Sequence, residues 1–283
     1  MGQTGIRLVG PFAVVRGDRP LTDAEVGSRK ARTLLALLAA ERRVLTVDRI
    51  VEVLWPGDPP RRPADNVATL VSRIRAALGA ELVEGGRGGY RLHDDVAVDL
   101  HEAARLVVSA EARLAAEPAV ALEAATRAEA VLSAAPALTD EPAADWAAAV
   151  RADQDGCLRR ARQAVAAAAL AAGQPARARD AAGAALRADP FDEDAGRALM
   201  RAHDALGEPA RALAVYERLS ALFAEELGVD PSPATRDLRV AVLRGGAVLA
   251  EPSAPLPPPE SSLVGREAQT GRASCRERVS CCV

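Results

Sequence analysis

Apolar positions in the first third of the chain alternate between a strand period and a helix period. Residues 6–9 (IRLV) and 12–15 (FAVV) are short β patterns, with Arg16-Gly17-Asp18 as a turn. Ser28 is placed to cap a helix reaching about Ala40, with Leu34, Leu35, Leu37 and Leu38 as its apolar face. Thr46 or Asp48 starts a second helix, turning Ile50, Val51, Val53 and Leu54 inward, and Trp55-Pro56-Gly57 ends it. The stretch PGDPPRRP at 56–63 reads as a loop, because its prolines lack backbone donors. A third helix runs from about Ala64 to Leu78, with Val67, Leu70, Val71, Ile74 and Leu78 at the spacing of a core stripe. Then ELV (81–83) and YRL (90–92) flank EGGRGG, where Gly85, Gly86, Gly88 and Gly89 can supply the positive φ of a tight turn.

From Leu100 onward the pattern is helical and contains a repeat. AAGQPARA at 171–178 matches ALGEPARA at 205–212 in six of eight positions, an offset of 34 residues, which is the tetratricopeptide period. Each copy sets Gly just past one helix and Pro at the start of the next. Such helix pairs bury one face on a neighbour and leave a concave surface for partners. Aromatics make up only 2% of the chain, so Ala, Leu and Val must build the core. Phe191, Tyr216 and Phe223 are expected between repeat helices, and Trp55 and Tyr90 as core or hinge residues of the first third. Residues 252–260 (PSAPLPPPE) read as an extended linker.

Charge changes the picture more than composition does. The net charge is −3, yet from Arg29 to Arg91 twelve Lys or Arg face seven Asp or Glu, a net of +5 that leaves about −8 elsewhere. A basic head on an acidic body suits a DNA-binding part joined to a protein-binding part. The polar stripe of the third helix is Asn66, Thr69 and Arg73, flanked by Ser72 and Arg75. Arg73 can offer a bidentate fork to guanine, and Asn66 suits adenine or phosphate. Arg61, Arg62 and Arg75 are expected on phosphates, and Arg87, at the tip of EGGRGG, on phosphate or the minor groove.

Other chemistry finds little support. The only lysine is Lys30, in GSRKAR, so no standard P-loop is present. His93, His101 and His203 are isolated, and Cys275, Cys281 and Cys282 lack zinc-finger spacing, so no metal, cofactor or catalytic site is expected. Cys157 reads as a small buried residue, and Asp94, Asp95 and Asp99 as the end of the hairpin and the start of a linker. No signal peptide or membrane-spanning stretch stands out, so a cytoplasmic, non-enzymatic protein is expected.

Taken in order, RKARTLLALLAA, RVLTVDRIVEVLWPGDPP, NVATLVSRIRAALG and GGYRL resemble the OmpR/PhoB-type winged helix of SARP/AfsR-like regulators. VDLHEAARL through AVYERLSALFAEELGVDPSPATRDL resembles that family's bacterial transcriptional activation domain. The fold implied is mainly α: an N-terminal winged helix-turn-helix (α+β), residues 1–95, followed by an all-α tetratricopeptide-like repeat domain, residues 99–245. Residues 246–262 follow as a Pro-rich linker. Residues 263–283 are read as the truncated start of a nucleotide-binding domain with an anomalous tail, since SSLVGREAQ (261–269) is similar to such a start while the remaining tail is not. The resemblance implies an activator that binds double-stranded DNA at direct repeats, contacts RNA polymerase and forms a homodimer on DNA. Two alternatives remain open: a tetratricopeptide-type protein-interaction module, and the N-terminal part of a larger STAND ATPase regulator.

Overall fold

The computed structural model describes residues 4–141 and 143–245. The chain opens on three strands, β1 (Thr4–Arg7), β2 (Ala13–Arg16) and β3 (Arg19–Pro20), and a short helix α1 (Asp23–Val26). Helices α2 (Arg29–Glu41), α3 (Val47–Leu54) and α4 (Pro63–Leu78) follow, then the hairpin β4 (Val83–Gly86) and β5 (Gly89–Leu92). A two-residue strand β6 (Ala97–Val98) leads into α5 (Asp99–Arg113), α6 (Pro118–Leu132) and α7 (Asp145–Ala171). The rest is α8 (Pro175–Ala188), α9 (Glu193–Ala205), α10 (Pro209–Glu226) and α11 (Pro233–Leu243). This is a winged helix-turn-helix followed by an all-α body. The linker and tail expected at 246–283 lie outside the described residues.

Local chemistry explains the boundaries. The Ser28 hydroxyl accepts from Ala31 N at 3.3 Å, and the Thr46 hydroxyl from Arg49 N at 3.3 Å, satisfying donors that a helix start leaves open. Proline opens α4, α6, α8, α10 and α11, where its missing N–H costs nothing. In the repeat, Gly173 (φ +69°) and Gly207 (φ +73°) turn the chain between α7 and α8 and between α9 and α10. Phe191 stacks on Phe223 with ring centroids 6.1 Å apart, although Phe191 itself is 40% exposed.

The first sheet runs β3-β2-β1-β6, with β6 parallel to β1 through Gly5↔Ala97 and Ile6↔Val98. Asp99, expected to begin a linker, instead starts a helix directly after a sheet strand at 97–98. The Asp99 carboxylate accepts from Leu8 N (2.8 Å), Val9 N (3.1 Å) and Leu100 N (2.7 Å). Burial pushes its pKa up, and these three donors oppose that shift. From the other side, the α6–α7 loop lies along the same segment. Leu138 N donates to Leu8 O (2.8 Å), and Thr139 N to Gly10 O (3.1 Å). Phe12 N donates to the Asp140 carboxylate (3.0 Å). The Thr33 hydroxyl of α2 donates to Glu141 at 2.9 Å.

One apolar core runs from Ile6 and Leu8 through Leu34, Leu37 and Ile74 to Ala128, Leu132 and Ala161, so winged helix and body share it. A second core, mostly alanines, fills the space from α5 to α11. Gln154 of α7 is buried in the first. Its Oε1 accepts from Ala137 N (2.7 Å), and its Nε2 donates to Leu132 O (2.7 Å) and Ala135 O (2.8 Å). Cys157 is half-buried, and burial pushes its thiol pKa up. His101 meets Ala39 O at 2.8 Å, and His203 meets Glu208 at 2.8 Å.

Candidate nucleic-acid interface

The apolar stripe of α4 is buried as its spacing predicts: Val67, Leu70, Val71, Ile74 and Leu78. The helix is thereby fixed on the core, and its opposite stripe is left outward. Asn66, Thr69, Ser72 and Arg73 are all exposed there. Asn66 Nδ2 donates to Arg62 O at 2.9 Å, and the Thr69 hydroxyl to Asp65 O at 2.8 Å. These back-bonds orient both side chains and leave the Asn66 side-chain oxygen and the Thr69 lone pairs as acceptors. Arg61 and Arg62 stand exposed at the end of the α3–α4 loop, and Arg62 is the N-cap of α4.

Arg87 is exposed at the tip of the wing, in the two-residue link between Gly86 and Gly89. Of the four wing glycines, only Gly85 (φ +110°) and Gly89 (φ +141°) take positive φ. Gly86 and Gly85 lie in β4 rather than in the turn, paired with Gly89 and Tyr90. The wing is tied to the start of α3 by a two-bond bridge: Leu45 N to Tyr90 O (2.8 Å) and Tyr90 N to Leu45 O (2.9 Å). At its base Arg91 pairs with Glu84 (2.5 Å) and Asp94 (2.9 Å), which raises the Arg91 pKa and lowers that of Asp94.

Arg61, Arg62, Arg73 and Arg87 carry no hydrogen bond or ion pair from their guanidinium groups among the described residues. Arg75 is placed differently from the expectation of a phosphate contact. Its Nε donates to Val83 O (2.9 Å) and its Nη2 to Gly85 O (3.1 Å), so it ties α4 to the wing. The spacing of α4 alone does not show this, because it does not say where β4 lies. Arg75→Ala is expected to destabilise the DNA-free protein by about 1–2 kcal/mol in urea denaturation. A residue that only held phosphate would leave that value unchanged.

Two more residues, Lys30 and Leu45, shape this surface. Lys30 Nζ donates to Leu54 O at 2.7 Å and stands 4.3 Å from the Trp55 ring centroid. A cation at that distance from an indole face is attracted to it. Its rarity in the sequence was the available signal, while Leu45 and Gln154 gave none. Among the described residues no group of His, Cys, Asp and Glu could hold a metal ion, and no helix is long and apolar enough to cross a membrane.

The bacterial transcriptional activator domain family matches residues 98–243. The chain is 32% identical over 261 residues to the regulatory protein AfsR of Streptomyces griseus, covering 87% of this chain and 25% of that protein. It is 31% identical over 268 residues to AfsR of Streptomyces coelicolor, covering 89% of this chain and 26% of that one. The chain thus spans about a quarter of the length of these curated relatives. Among solved structures, Mycobacterium tuberculosis EmbR, in complex with a low-affinity phosphopeptide, superposes with a TM-score of 0.72 at 25% identity, over 87% of this chain and 66% of that one. With the family match spanning residues 98–243 behind a winged helix, the chain belongs to the bacterial transcriptional activator domain family and is similar to SARP-type transcriptional regulators.

Proposed function

We propose that this regulator is a cytoplasmic activator that reads direct repeats in double-stranded promoter DNA through α4 and the wing. The observation that carries the reading is one exposed set of polar groups whose arginine guanidinium groups have no internal partners among the described residues. Arg73, Asn66, Thr69 and Ser72 stand on the outer face of α4, and Arg61, Arg62 and Arg87 at its two flanks. An α-helix of this kind fits the major groove, where bidentate Arg and Asn contacts discriminate bases. In this reading Arg73 meets a base edge, Asn66, Thr69 and Ser72 meet base edges or phosphates, and Arg61, Arg62 and Arg87 hold the backbone. Arg75 supports the wing. Residues 99–243 supply the surface for RNA polymerase and for a second copy of the chain on adjacent repeats. The same two parts within a longer, nucleotide-switched regulator are the second reading, favoured by the greater length of the relatives.

Selection from a random duplex library at near-physiological salt tests the main reading. The expected result is an enriched direct repeat with half-sites about one helical turn apart. On that site Arg73→Ala should cost about 1–3 kcal/mol and relax preference at one position. Arg62→Ala and Arg87→Ala should weaken all sequences alike and flatten the salt slope by about one unit each. Equal losses for Arg73→Ala on specific and random DNA would remove its assigned role.

A further inference from the structure

We propose that Lys30 is a positioning residue for DNA recognition: a cationic clasp that holds the start of the α3–α4 loop and so sets where Arg61 and Arg62 stand. The inference rests on the reading of α4 and its approach as the DNA-facing surface.

Lys30 lies in the first turn of α2, and its side chain reaches across to the far end of α3. Its Nζ donates to Leu54 O at 2.7 Å. Leu54 is the last residue of α3, so this carbonyl belongs to the negative end of the helix, where no further turn supplies a donor. The same Nζ sits 4.3 Å from the Trp55 ring centroid. Both contacts favour a charged ammonium, one as a strong donor and one through the ring quadrupole. Lys30 itself is exposed, and the desolvation at these contacts pushes its pKa down.

What the clasp holds is the point where the chain leaves helical geometry. Trp55 has φ −140° and ψ 67°. Pro56, Pro59 and Pro60 follow, each with φ fixed by its ring, so of the five residues between Trp55 and Arg61 only Gly57 (φ +79°) and Asp58 keep a free φ. A stiff connector transmits the orientation at its root. Arg62 then caps α4, the helix that carries Arg73. A single amine on α2 thereby sets both loop arginines and the approach to α4.

Lys30 is the only lysine in the chain, which makes the clasp chemically addressable. The experiment uses the full chain with Trp146→Phe, so that Trp55 is the sole indole. Indole emission and affinity for the selected duplex are measured for Lys30, Lys30→Met and Lys30→Arg forms, before and after acetylation with an N-hydroxysuccinimide ester. Lys30→Met should shift the Trp55 emission and weaken duplex binding by about tenfold, with Lys30→Arg restoring most of both. Acetylation of the folded Lys30 protein should reproduce the Met phenotype. Acetylation of the Arg form, which modifies only the N-terminal amine, should change neither readout. The acetylation arm serves if Lys30→Met does not fold. Unchanged duplex affinity after complete Lys30 acetylation, or a Lys30→Arg form as impaired as Lys30→Met, overturns the proposal. If the unmodified chain selects no duplex, the DNA-binding reading fails and takes the recognition role with it. The emission then reports separately whether the clasp holds the loop.

Discussion

Gly89→Ala is expected to detach the wing, while Gly88→Ala, one residue earlier, is expected to be nearly silent. A Cβ on Gly89 would stand 2.4 Å from Leu45 O and 2.9 Å from a Val44 methyl, on a backbone at φ +141° that side-chain-bearing residues rarely adopt. Leu45 O is the acceptor of the Tyr90 N–H, so the added methyl pushes on the bridge that ties the wing to the start of α3. Relief requires either breaking that two-bond bridge or turning the backbone, and the combined cost is about 3–4 kcal/mol. At Gly88 a Cβ meets nothing within 4 Å. Urea denaturation of the two variants checks the contrast, and equal stability would show that the bridge is dispensable. On the proposed operator, Gly89→Ala should also lose more than about tenfold in affinity, because Arg87 no longer has a fixed stem.

The second large effect is expected far from the candidate interface. Gln154→Leu keeps the side chain close in size but leaves the Ala137 N–H and the Leu132 and Ala135 carbonyls without their partner. Buried backbone groups left unpaired cost about 1–3 kcal/mol each, so a loss of about 3–5 kcal/mol is expected, out of a total that for most domains is about 5–15 kcal/mol. Because Ala137 and Leu138 bridge directly to Val9, Gly10 and Leu8, the damage should reach the winged helix as well. Hydrogen exchange should show faster opening at Leu138 N and Thr139 N together with the amides of β1. A loss below about 1 kcal/mol would mean that water replaces the amide at little cost.

What could be read from the sequence was what depends on near neighbours. Ser28 and Thr46 cap α2 and α3 as expected, the buried stripe of α4 is the expected one, and the Gly–Pro spacing marks two helix turns of the body. What could not be read depends on distant partners. β6 is two residues long and exists because Gly5 and Ile6 lie beside it, more than ninety positions earlier. The wing strands were displaced, since Gly85 and Gly86 have weak strand preference and look like turn residues until Gly89 and Tyr90 are placed opposite them. At the candidate interface the exposed stripe was legible from periodicity, but the direction of a long side chain was not. Arg73 and Arg75 are two residues apart on one helix, yet one points to solvent and the other to the wing carbonyls.

The strand β6, the Asp99 carboxylate and the strap at residues 137–141 leave no swivel between winged helix and body. A chain seated on a duplex in the proposed way therefore aims its body along one fixed bearing around the duplex axis. Shifting its site by about five base pairs carries that bearing to the opposite side, and shifting by about ten brings it back. Such a protein responds to the rotational phase between its site and the promoter as well as to the bases it touches, and a half-buried carboxylate behind the winged helix enforces that phase.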